Sequence, residues 1–270
     1  MTPIEIYSSG LNLEINKEIN KIFKEDLWDE DNISSNVIIS IRNYFRKNPS
    51  INSYPEKIHI ECQLFKLKGN NENRFGDIAF LVKIDLFQNS FIEGVAFLEA
   101  KKRYLDSDLF KAVKSDQLSR IVNNAPRSKL LLYNFDSINF QQNVFNQDLI
   151  FDDVNAVTIP INFAANFKTI SMGLFQTGVP LHKQILNRYI LGQDLEFDNN
   201  TISNSKGFGD LNKLPFMIVS LKVSTKKNTG IKALPVNPEY FTEVDDTDLN
   251  SNTGLNFNSP TPTPGPYVRS

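Results

Sequence analysis

Asp77, Glu99 and Lys101 stand where two apolar runs meet polar sequence, and their types and spacing suit chemistry on charged oxygens. Asp77 opens the run Ile78–Leu86, while Glu99 and Lys101 close the run Val95–Leu98, with a polar break at Gln88–Ser90 between the two. Runs rich in β-branched and aromatic residues about such a break read as a β-hairpin. Side chains alternate faces along a strand, so Glu99 and Lys101 point one way and Ala100 the other. A turn centred near Asn89 sets Asp77 opposite Lys101 and Ala79 opposite Glu99, and directly opposed residues share a face. All three charges then converge on one side of the hairpin. Two carboxylates and an ammonium at the ends of apolar strands are costly to desolvate. A divalent metal held by hard oxygen ligands beside a lysine is one arrangement that offsets that cost.

The elements that must position these groups follow from periodicity. Residues Leu13 to Leu27 carry Ile15, Ile19, Ile22 and Phe23 at helical spacing. Ser34 or Ser35 would cap a second helix through Ile38, Ile41 and Phe45, stopped by Pro49. A strand is expected over Ile58 to Leu67, then the polar loop KGNNENRFG, then the hairpin. After Arg103, the stretch DSDLFKAVKSDQLSRIVNN reads as a helix opened by Asp106 or Ser107. Phe110, Val113, Gln117 and Ile121 share one stripe of that helix. Gln117 is thus a polar amide aimed at the sheet and in need of a partner, either near Lys101 or at a backbone edge. Lys129–Asn134 and Ala156–Ile161 read as strands, Leu181–Leu191 as a helix, Asn199–Gly209 as a loop and Phe216–Val223 as a strand. The order implies a mixed α/β sheet with helices on its faces. Three regions are expected: a helical segment over 1–50, the sheet domain over 51–238, and an acidic, Pro/Thr-rich tail over 239–270 that is flexible or draped on the surface.

The succession Asp77, then Glu99-Ala100-Lys101 on the next strand, then a helix carrying Gln117 resembles the PD-(D/E)XK nuclease superfamily. The likeness covers roughly Lys57 to Phe135, and Gly76 stands where the superfamily commonly has proline. That superfamily includes restriction endonucleases, recombination nucleases and phage-defence effectors. The resemblance implies a restriction-endonuclease-like fold and metal-dependent hydrolysis of phosphodiester bonds, DNA above all. It implies Mg²⁺ or Mn²⁺ held by Asp77, Glu99 and the Ala100 carbonyl, with Glu72, five residues before Asp77, as a supplement. Lys101 would position or help deprotonate the attacking water, or stabilise developing charge, and Gln117 completes the catalytic set. Glu14 and Glu18 are further carboxylates that a helix could bring to a metal. A non-cleaving binding or complex-forming subunit, keeping the same charges as an ion-pair network, is the alternative. An unrelated α/β domain with a coincidental Asp, Glu and Lys is a third.

Net charge is −2, so no global basic signature of nucleic-acid binding exists. Between Lys101 and Lys129, eight basic residues stand against three acidic ones, Asp106, Asp108 and Asp116. Arg74, Lys102, Lys111, Lys114 and Arg120 would line a phosphate-binding cleft, or else solvate an outer helix face. With so mild a charge, DNA affinity would be shared with a homodimer mate or a partner protein. One cysteine, Cys62, excludes an internal disulfide and fits a reduced, cytoplasmic setting. Two histidines, His59 and His182, argue against a His-rich zinc site. The opening MTPIEIYSSG lacks the pattern of a secretory leader, and no apolar run reaches the roughly 18–20 residues that cross a bilayer. No membrane partner is expected.

Overall fold

The computed structural model describes residues 2–52, 57–69, 76–86, 90–142, 150–225 and 236–245. Two long helices come first. Helix α1, Pro3–Lys24, starts with a reciprocal cap between Thr2 and Glu5 and buries Leu11, Ile15, Ile19 and Ile22 along one stripe. Helix α2, Glu30–Lys47, is capped by Asp29, whose side chain accepts from the Asp31 amide. The cap therefore lies earlier than Ser34 or Ser35, which sit inside the helix; the extended backbone of Asp29 beside its own acceptor supplies the start. Pro49 follows the end of α2, as its missing N–H and fixed φ require.

Among the described residues, nine strands then build one mixed sheet. They are β1 Ser50–Asn52, β2 Lys57–Leu67, β3 Ile78–Asp85, β4 Phe91–Lys102, β5 Lys129–Gln142, β6 Ile150–Pro160, β7 Val179–Pro180, β8 Met217–Ser224 and β9 Phe241–Glu243. The spatial order is β1-β2-β8-β3-β4-β5-β6-β7, with β9 also paired to β2. Pairing is parallel between β3 and β8 and between β4 and β5, and antiparallel elsewhere. The central strands read as near-continuous apolar runs because both faces are covered. On one face Ile78, Phe80, Val82, Ala96 and Leu98 pack with α1, α2 and α6, Leu181–Asn187. On the other, Ala79, Leu81, Val95 and Phe97 meet Ile121 of α3, Ser115–Asn124, with Ile161 of α4, Ile161–Ala164. Ile202 of α7, Asn199–Ser205, joins that same face. A further short helix, α5, Met172–Gln176, places Phe175 in a third cluster beside Leu130 and Leu132.

The hairpin register differs from the expected one by two residues. Ile78 opposes Leu98 and Ala79 opposes Phe97, so Asp77, one step before β3, lies beside Glu99 rather than Lys101. The Leu86 amide donates to the Ser90 carbonyl at 2.8 Å, which keeps the same register to the end of the described hairpin. A slip of two leaves every side chain on its expected face, since the strand period is two.

Two further expectations are corrected. Residues 106–114 are not helical; the helix is Ser115–Asn124 alone. The Lys111 amide instead bonds the Lys102 carbonyl at 3.0 Å, the Phe110 amide bonds Ile170, and the Phe110 ring stacks on Phe175 at 5.6 Å. Burying Phe110 in the third cluster outweighs the local helical spacing. Asn199–Ser205, expected as loop, is helical because Asp198 accepts from the Thr201 amide at 2.8 Å. The tail is anchored at its start: Phe241 is buried in β9, and the buried Arg42 guanidinium donates to the Val244 carbonyl. Positions 246–270 lie outside the described residues. Among the described residues no helix is long and apolar enough to cross a membrane.

Candidate functional site

Asp77 is pinned on both sides by backbone. Its amide donates to Leu98 of β4 at 2.9 Å, and its carbonyl accepts from the Met217 amide of β8 at 3.0 Å. Gly76 turns the chain into β3 with φ +73°, a value proline cannot adopt. The Asp77 side chain reaches along β4, where Oδ2 accepts from the Ala100 amide at 2.7 Å.

Two positions on, β4 presents Glu99 and Lys101 to the same side. Glu99 is 2% exposed, and its Oε1 accepts from Lys101 Nζ at 2.5 Å and from Gln117 Nε2 at 2.8 Å. Its Oε2 is buried without a hydrogen-bond partner among the described residues. Gln117 thus finds its partner at the acidic end of β4, on the side expected for a site residue. Lys101, 4% exposed, places its ammonium against three acceptors: Glu99 Oε1, the Ala100 carbonyl at 2.6 Å and Glu30 Oε1 at 3.2 Å. Those match the three N–H donors an ammonium carries.

Glu30 escaped the sequence reading. It opens α2, seventy-one positions from Lys101, and nothing local marks it beyond the acidic first turn common at helix N-termini. A staple delivers it: Trp28 Nε1 donates to the Arg103 carbonyl at 2.9 Å, while Lys102 Nζ donates to the Trp28 carbonyl. Trp28 and Phe23 pack around Phe135, over which the Arg103 guanidinium lies at 4.7 Å. Glu14 and Glu18, by contrast, face Lys17 and Lys21 on the outside of α1.

Charge at the site is unbalanced. Burial and then the Glu99 carboxylate hold the Asp77 carboxyl well above the usual carboxylate range, against the pull of Lys101. Burial likewise raises Glu30, with Lys101 and Lys111 opposing. For Lys101, burial works against the charge, but Glu99, Asp77 and Glu30 together raise its value above the ordinary one, so it stays an ammonium. Burial also raises the nearby Tyr133 phenol.

The basic residues divide. Lys111 is half exposed with Nζ 3.8 Å from Glu30, at the mouth of the cluster, and Lys114 is exposed at the N-cap of α3. Arg120 is partly buried on α3. Lys102 is turned to Trp28, on the opposite face from Lys101, and Arg103 pairs with Asp108 and Asp136. Lys129 pairs with Asp194, and the Arg127 guanidinium donates to the Leu195 carbonyl. Much of the local basic excess is therefore engaged within the fold. Glu72 and Arg74 lie outside the described residues. A polar cavity of about 220 Å³, lined in part by Asn124, Thr201, Asn204 and Lys213, takes in none of the site residues.

The donor set fits a hard divalent cation: carboxylates, a backbone carbonyl, and one carboxylate oxygen buried and unpaired. No three side chains of His, Cys, Asp or Glu group closely enough to hold a metal by themselves among the described residues. Fold and cluster define a mixed α/β protein with an acidic site at the end of its central hairpin. No protein-family model, curated protein or solved structure matches the chain.

Proposed function

We propose that this protein is a metal-dependent nuclease of the PD-(D/E)XK type, with a restriction-endonuclease-like fold and DNA as its first substrate. One observation carries the reading: Glu99, buried at the end of a central strand, keeps one oxygen unpaired among the described residues, while its other oxygen and the Ala100 carbonyl share the Lys101 ammonium and Asp77 accepts from the Ala100 amide. Mg²⁺ or Mn²⁺, bound through Asp77, Glu99 and the Ala100 carbonyl, would supply positive charge to the scissile phosphate and ease ionisation of the attacking water. Within the chain, Gln117 fixes the rotation of Glu99, and the Ala100 amide fixes Asp77. Lys101, held charged, is a donor: it orients water or phosphate oxygens and stabilises developing negative charge. A place in restriction or phage defence is the extension of this reading. The test is incubation of purified protein with plasmid, single-stranded DNA and RNA in Mg²⁺, Mn²⁺ or EDTA. Cleavage should need metal and fall at least about a hundredfold in Asp77→Ala and Glu99→Ala; cleavage that survives both substitutions rejects the site.

The complete pairing of Lys101 favours a second reading, a non-cleaving subunit in which Glu99, Lys101 and Glu30 form a structural ion-pair network. It expects no cleavage of any substrate under any metal, together with a stability loss of about 3–5 kcal/mol on removal of the ammonium.

A further inference from the structure

The Ala100 carbonyl and the Glu99 carboxylate, the two groups of β4 suited to a divalent cation, are both held by the Lys101 ammonium. The third acceptor, Glu30 Oε1, belongs to another element, and its Oε2 is buried without a hydrogen-bond partner among the described residues. Among the described residues Glu30 reaches no other cation as closely; Lys111 stands at 3.8 Å. The ammonium thus has one anchor outside the cation seat and two inside it. A lysine stem with four rotatable bonds lets Nζ swing toward the outer anchor without moving the strand.

We propose that Lys101 is the resident counter-ion of the metal-free site, and that Glu30 is a positioning residue, the berth that holds the ammonium when a divalent cation takes over Glu99 and the Ala100 carbonyl. The inference rests on the metal site proposed above and adds its regulation: cation entry and placement of Lys101 are one event. The trapped position explains why a buried ammonium makes three bonds on the face where substrate chemistry is expected. It also assigns a task to the Trp28 staple, which fixes the berth relative to β4. Glu99 Oε2, 1% exposed at the side chain and unpaired, is the second and independent sign that a cation beyond the ammonium belongs here.

The test is a double-mutant cycle on Mn²⁺ affinity, read by calorimetry on Lys101→Met, Glu30→Gln and the pair, with no substrate present. If the seat is open in about a tenth of molecules, Lys101→Met tightens Mn²⁺ binding about tenfold. Glu30→Gln should weaken binding when Lys101 is present and leave it unchanged in the Lys101→Met background. Simple loss of one charge near another predicts additive effects instead, so additivity, a Glu30→Gln effect of equal size in both backgrounds, overturns the proposal. Mn²⁺ uptake that Glu99→Ala abolishes, without coupling in the cycle, overturns the berth alone. No uptake by wild type or Lys101→Met overturns the metal reading with it. A second measurement needs no variant: the ¹⁵N resonance of the Lys101 ammonium should shift during Mg²⁺ titration with the calorimetric midpoint. A stationary resonance across a complete isotherm overturns the proposal.

Discussion

Asp77 is a residue whose protonation the fold strongly disturbs, and the sign of the effect can be worked out. Its folded value lies above the unfolded one of about 3.9, so the folded state binds the proton more tightly. Its contribution to metal-free stability is full below that unfolded value and is lost as pH rises toward the folded value. Denaturation in EDTA should therefore show stability falling from mildly acid to mildly alkaline pH by this term, and Asp77→Asn, neutral throughout, should remove it. Saturating Mg²⁺ should flatten the wild-type profile as well. An Asp77→Asn profile parallel to wild type in EDTA would remove Asp77 as the source. The convergence of Asp77, Glu99 and Lys101 was legible in sequence because strand parity survives a two-residue register error. Gln117 was reached through a stripe of which only half exists: Ile121 shares its helix, whereas Phe110 and Val113 lie before the helix starts. Glu30 was not legible, since its arrival depends on a tertiary contact no local pattern encodes.

At the scale of elements, the link between α2 and β4 does most to complete the cluster. Trp28 is buried, donates to Arg103, and packs edge-on against Phe23 and Phe135. Trp28→Ala should cost about 3–5 kcal/mol in denaturant unfolding, as truncation of a buried indole does. In whatever folded fraction remains, it should also reproduce the Glu30→Gln phenotype, because the berth loses its support. A loss under about 1 kcal/mol would show that α2 reaches the site without the staple. The misread stretch 106–114 teaches the same lesson from the other side. Phe110 and Val113 sit at helical spacing with Gln117, yet both pack in the third cluster, while Ile121 packs in the second. Spacing could not tell which core each would enter. Helix α7 was legible in principle, through the Asp198 cap three residues before Thr201, but its Asn-rich sequence reads as loop.

For the whole molecule, the proposed nuclease reading expects an affinity for nucleic acid that is modest and weakly steered by charge. Among the described residues of the basic stretch, Lys111 and Lys114 are the ones left largely to solvent near the site. The triple variant Lys111→Ala, Lys114→Ala, Arg120→Ala, compared with wild type on duplex DNA in EDTA, should flatten the log–log salt dependence by about 2 to 3. Parallel slopes with equal affinities would show that these residues do not meet phosphate. The mixed sheet with helices on both faces followed from the order of apolar runs; its strand order did not, because pairing of β8 between β2 and β3 joins segments distant in the chain. That placement has a consequence for how the protein comes into being. The Met217 amide completes the support of Asp77, and β8 fills the gap between β2 and β3. A chain still on the ribosome, with β8 unsynthesised, has Asp77, Glu99 and Lys101 in order along the polypeptide but no finished sheet to hold them. Long-range strand pairing is among the slower steps of folding. The Asp77, Glu99 and Lys101 cluster therefore assembles only after its residues have long been made, once β8 has entered the sheet.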